Sequence, residues 1–164
     1  MLKFLCVGTL IASLFLVSGC SKDSDPTPSD IIVGTWAFST INATITVGTQ
    51  SLVAYFKSQG LSEADAQLYA DQLVNSYKGD ISGTLEIKKG GTWSSTDDQG
   101  NISTGKWELT SDGKTLTLDK GAVGESIFTI TTLTSSKLII SSDVSDTDSG
   151  ITFNVNLQIE LTRK

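Results

Sequence analysis

The amino-acid sequence predicts a mainly β fold: an antiparallel up-and-down barrel of about eight strands, with a helical insert between the first and second of them. Three observations lead there. Residues 151–162 place an apolar side chain at every odd position and a polar one at every even position, the period of a strand with one face in a core and one in water. Shorter runs repeat that alternation along most of the chain, and the segments between them are short and rich in Gly, Asp and Asn, as hairpins need where φ turns positive. Strands joined in this way form a meander, and a meander of this size commonly closes on itself and so leaves no exposed edge. A two-layer sandwich is the alternative.

The first strand begins near Ile31. Trp36 and Phe38 share one parity, whereas Ile41, Ala43, Ile45 and Val47 share the other; one extra residue near Ser39-Thr40 would put all six on one face. The insert follows. Ser62 and Asp65 have the spacing of a capping box, Leu61 can staple to Ala66, and Ala66, Tyr69, Ala70, Leu73, Val74 and Tyr77 fall on one helical stripe closed by Gly79. A shorter helix is expected over residues 52–57, with Gly60 as the break. Further strands are expected at residues 84–88, 92–96, 106–110, 115–119, 126–133 and 137–142, and residues 143–150 read as a loop before the long last strand. Inward residues would then include Phe38, Leu85, Ile87, Trp93, Trp107, Leu109, Phe128, Ile130, Phe153, Val155 and Leu157.

The beginning of the chain follows different rules. Lys3, an apolar run from Phe4 to Val17 and small residues before Cys20 have the layout of a secretory signal. The run is too short and too abruptly ended for a comfortable bilayer span. Val17-Ser18-Gly19-Cys20 resembles the lipobox of bacterial lipoproteins, which implies cleavage before Cys20 and a lipid on its sulfur. Residues 1–19 are thus expected to be a signal peptide, residues 20–30 a lipidated flexible tether and residues 31–164 one barrel domain. The tether carries two prolines and no apolar residue beyond the cysteine. Ser21 after the cysteine resembles lipoproteins forwarded to an outer membrane, and Ser21-Lys22-Asp23-Ser24-Asp25 resembles the surface-export tether of Bacteroidetes lipoproteins. Acylated Cys20 would be the only cysteine left after Cys6 departs, so no disulfide is expected.

Composition narrows the function. Eighteen acidic residues against twelve basic ones give a net charge of -6, and such a surface repels phosphate backbones and anionic headgroups, which argues against nucleic acid as a partner. The chain has no histidine, which removes the usual neutral-pH general base and imidazole metal ligands. No catalytic residue, cofactor or metal is expected, and the protein is not expected to be an enzyme. Residues 143–150 carry three aspartates at spacings suggestive of a calcium loop but lack the full ligand series, so the bland reading, a solvated hairpin tip, is preferred.

All three tryptophans sit two residues after a glycine, in Gly34-Thr35-Trp36, Gly91-Thr92-Trp93 and Gly105-Lys106-Trp107. The first, at the start of the domain, resembles the GxW signature of lipocalins. That resemblance implies that Trp36 plugs the closed end of a cup and that Arg163 packs across it as a cation over the ring. The segment from Gly91 to Asp119 also resembles lipocalin-like lipoproteins of Bacteroidetes. The TDY-type motif of lipocalins is absent, and a helix between the first two strands is placed as in fatty-acid-binding proteins, so the resemblance is to calycin-type barrels in general. It implies a small hydrophobic ligand, with Phe56, Tyr69, Leu73, Trp93, Trp107, Phe128 and Phe153 as candidate lining residues and the helices as a lid. The other reading is a barrel filled by its own side chains, which contacts an envelope protein or a glycan through its surface and loops. In either case the expected location is the outer membrane, held by the lipid.

Overall fold

Among the described residues of a computed structural model, which are 25–79, 81–148 and 150–164, there are nine strands and three helices. The signal peptide, the lipobox Val17, Ser18 and Gly19, and the attachment site Cys20 lie outside these residues. In chain order come α1 (Pro28–Ile32), β1 (Gly34–Val47), β2 (Gln50–Ser51), α2 (Leu52–Ser58), α3 (Glu63–Lys78), β3 (Thr84–Lys88), β4 (Thr92–Thr96), β5 (Ile102–Leu109), β6 (Thr115–Leu118), β7 (Ser126–Leu133), β8 (Lys137–Asp148) and β9 (Ile151–Arg163).

Every pairing is antiparallel. β3 to β9 follow one another as a meander, β1 pairs with β3 on one side and with β9 on the other, and the eight strands so joined form a closed barrel. β2 only lengthens the end of β1 into a small ribbon. The register of the closing pair runs from Trp36 opposite Arg163 to Val47 opposite Phe153, and it shifts between Phe38 and Thr40. Ser39 is thus the extra residue that carries Ile41 and Ile45 onto the same inward face as Trp36 and Phe38. A second shift, between Ile130 and Thr132, bends β7.

The inward side chains form two apolar clusters. The larger fills the barrel floor around Ile32, Trp36, Leu85, Ile87, Leu116, Leu138, Ile140, Ile159 and Leu161. β1, β8 and β9 are longer than their neighbours and run on past the barrel wall. There Ile45, Val155, Val47 and Phe153 continue the inward face and are covered by Leu52, Val53 and Phe56 of α2 and Ala70, Leu73 and Val74 of α3. The capping chemistry is local. The Ser62 hydroxyl accepts from the Asp65 amide at 3.2 Å, and the Gly79 amide donates to the Asn75 carbonyl at 2.9 Å. Every strand pairing and both clusters lie within residues 28–163.

Three boundaries differ from the sequence reading by more than a residue. β1 begins at Gly34 rather than near Ile31, because residues 28–32, the last three expected tether residues among them, form α1. β5 begins at Ile102 rather than at Lys106. Residues 143–148 are not a loop: β8 continues through them to Asp148, with Asp143 opposite Asn156 and Asp146 opposite Phe153. They are polar because this part of β8 rises past the barrel core, where neither face needs a full complement of apolar side chains. The alternation of a strand also turns Asp143 and Asp146 to opposite faces, which removes the spatial basis of a calcium loop.

Candidate functional site

The meander sorts the connections to two ends. The turns after β3, β5 and β7 lie at the end where β1 begins; those after β4, β6 and β8, together with α2 and α3, lie at the other.

The first end is shut. α1 starts with Pro28 behind the capping residue Thr27, whose hydroxyl accepts from the Asp30 amide, and it lays fully buried Ile32 beneath fully buried Trp36. The Trp36 indole Nε1 donates to the Ile32 carbonyl at 2.8 Å. Arg163 then fastens this floor. Its guanidinium stands 4.9 Å from the Trp36 ring centroid, while Nη1 donates to the Ile31 carbonyl at 2.8 Å and Nη2 to the Val33 carbonyl at 2.7 Å. Gly34 makes room for it. A Cβ there would stand 2.8 Å from Nη2, and φ at this position is +148°, which disfavours any other residue.

Above the floor is a chamber of about 320 Å³. Its wall is apolar on most sides, from Phe38, Leu85, Trp93, Leu118, Phe128, Ile140, Leu157 and Ile159, and polar at one lip, where Ser82, Ser95, Asp97, Asn101 and Ser103 meet around the β4–β5 turn. On this wall the inward Trp93 indole lies against Gly105. A Cβ on Gly105 would meet both the Asp119 carboxylate and the Trp93 indole nitrogen. That nitrogen is buried and, among the described residues, has no hydrogen-bond partner, whereas Asp119 Oδ1 accepts from the Lys106 amide at 2.9 Å.

Asp97 is the charged group at the lip. Its Oδ1 accepts from the amides of Gln99 and Asn101 at 2.9 and 2.8 Å, and its Oδ2 from the Asn101 side chain at 2.7 Å. The Asn101 side-chain bond chiefly, helped by the smaller effects of the backbone amides, holds this carboxyl below the ordinary aspartate value against the opposing effect of desolvation. It is therefore ionised at neutral pH.

A second, wider hollow of about 380 Å³ opens between the end of α3 at Tyr77, the start of β7 and the upper parts of β8 and β9. Phe128 and Leu157 belong to the walls of both spaces.

The candidate lining residues divide accordingly. Trp93 and Phe128 face the chamber. Trp107 packs against the floor cluster, with its indole donating to the Lys88 carbonyl at 3.0 Å. Phe56, Leu73 and Phe153 are held in the second cluster under the helices. Tyr69 is 52% exposed and packs against Phe56 in a tilted arrangement with ring centroids 6.0 Å apart. Sequence reasoning missed Ser95, Ser103 and Asp97 as lip residues. The signal was there, because the alternation that points Trp93 inward also points Ser95 and Asp97 inward. Among the described residues no group of three His, Cys, Asp or Glu is placed to hold a metal ion, and no helix is long and apolar enough to cross a membrane. No family model and no curated protein matches the chain.

Proposed function

We propose that the protein is a lipid-anchored, lipocalin-like binding module of the bacterial envelope, held at the outer membrane through Cys20, whose barrel takes a small apolar molecule. The observation that carries this reading is the chamber: a mostly apolar space inside a closed barrel, about 320 Å³ in volume, at the lower end of the roughly 300–1,000 Å³ usual for small-molecule sites. The floor supports the anchor arrangement. α1 docks at the shut end, so a tether running from Cys20 into Pro28 would leave the mouth facing away from the membrane that holds it.

Native mass spectrometry of the chain from Ser21 onward, purified without detergent, tests the reading. A co-purified guest, or uptake of an uncharged fluorescent apolar probe that Leu157→Trp abolishes, is the expected result. A barrel that stays empty and refuses such probes overturns it.

A second reading is favoured by a separate observation. Fully exposed Val123, together with Ile102 at 68% and Ile127 at 55% exposure, sets apolar side chains on the outside around the mouth, the composition of a contact surface for a partner protein. Substituting these three with serine should abolish partner capture from the envelope while leaving probe uptake intact.

A further inference from the structure

Resting on the binding reading above, we infer that the ligand is a slender amphiphile with an apolar body and a protonated-amine head, and that the chamber discriminates against the carboxylate of the same chain length.

The distribution of polar groups carries this. An apolar body can occupy the space between Phe38, Leu85, Phe128 and Leu157, and its polar end must then emerge at what is, among the described residues, the polar sector of the wall, the lip of Ser95, Asp97, Asn101 and Ser103. This sector holds one carboxylate and otherwise neutral groups, among them serine hydroxyls that can accept as well as donate. Ser95 stands opposite Ser103 across the β4–β5 pair, and among the described residues neither hydroxyl is engaged by a protein hydrogen bond. Asp97 carries the charge there, and its carboxylate is satisfied by amide donors rather than by a cation.

No lysine or arginine lies among the described residues of the wall of the chamber or of the wider hollow beside it, whose own acidic members are Glu125 and Asp143. Lys120, on which Glu125 acts, is already held by Glu108 at 2.8 Å. A carboxylate head would meet an ionised aspartate with nothing to neutralise it, whereas an ammonium has three N–H donors for Asp97 and the two serine hydroxyls.

The test compares decylamine, decanol and decanoate, each below its critical micelle concentration, binding to the chain from Ser21 onward. That part holds every pairing and both clusters described above. Intrinsic tryptophan fluorescence and calorimetry give the affinities. The expected order is amine, then alcohol, then carboxylate, with at least a tenfold gap between the first and the last. Asp97→Asn keeps an oxygen for the Gln99 and Asn101 amides and should narrow that gap at least threefold. Ser103→Lys, at an exposed position, should raise decanoate affinity.

Decanoate binding as tightly as decylamine in the parent protein overturns the inference while leaving an apolar-ligand barrel intact. An unchanged ratio in both Asp97→Asn and Ser103→Lys overturns the role of the lip. Failure of all three compounds, decanol included, overturns the binding reading itself.

Discussion

Replacing Arg163 with alanine should loosen the barrel floor by an amount that can be worked out from its contacts. Two charge-assisted bonds to the carbonyls of Ile31 and Val33 are lost, along with the stack on Trp36. Bonds of this kind contribute about 1.5–3 kcal/mol when shielded; Arg163 is partly solvated, so about 1 kcal/mol each is appropriate. The cation over the ring adds about 0.5–1 kcal/mol. The sum is about 2.5–3 kcal/mol, which at roughly 2–4 °C per kcal/mol for a domain of this size lowers Tm by about 5–12 °C. Arg163→Lys can reach one carbonyl but cannot span both, and should lose about half as much. Urea unfolding followed by circular dichroism, with the Trp36→Phe single and double variants completing a cycle, measures both the total and the coupling between guanidinium and indole. If Arg163→Ala stays within about 0.5 kcal/mol of the parent, or Arg163→Lys matches the parent, the floor is not held in the way described.

Gly34→Ala should destabilise by about 1–3 kcal/mol through backbone strain and displacement of the guanidinium, and by less in an Arg163→Ala background, which a double-variant cycle detects. Gly105→Val forces Trp93 off its seat beside Asp119; a shift in tryptophan emission and a loss of about 1–3 kcal/mol in chemical denaturation are expected. Leu157→Trp fills the chamber and should cost less than about 1.5 kcal/mol because the space is already there, while ending uptake of apolar probes. Asp30, Asp97 and Asp112 all have carboxyl values lowered by hydrogen bonds, chiefly from the side chains of Thr27, Asn101 and Thr110 respectively. Groups depressed in the folded state contribute stability that is present above the ordinary value of 3.8 and lost as pH falls below it. Tm measured from pH 6 downward should therefore decline in that acid range, and Asp112→Asn should flatten part of the slope.

The barrel was legible because its wall obeys one simple constraint. Where a strand separates a core from water, as β9 does, the period of two is written into the side chains, and the parity change in β1 was enough to locate the bulge at Ser39. Legibility ended where that constraint ended. The upper part of β8 has water on most of its surroundings, so Ser145, Asp146 and Thr147 look like a loop and are a strand. The pairing of Trp36 with Arg163 came from the GxW resemblance rather than from periodicity, and the two lie opposite each other where β1 closes on β9. The chamber was harder to see. Period two tells which way Trp107, Trp93 and Phe153 point, but not which of them packs on floor, helix or empty space. Gly105 decides the matter for Trp93, and the height of a residue along the barrel decides it for Trp107 and Phe153.

The join between β1 and β9 also sets the order in which the molecule can assemble. The bond from Arg163 to Ile31 spans 132 positions, and closing a loop of that length costs about 4 kcal/mol of chain entropy before any contact compensates it. Hairpins from β3 to β8 can form early, each from neighbours in the chain. The ring waits for the 13 residues of β9. Until they arrive, β1 and β8 each present a bare edge of the sort that joins one copy to another, so the tail of the chain acts as a fastener, and a protein truncated before it is expected to aggregate rather than merely lose affinity.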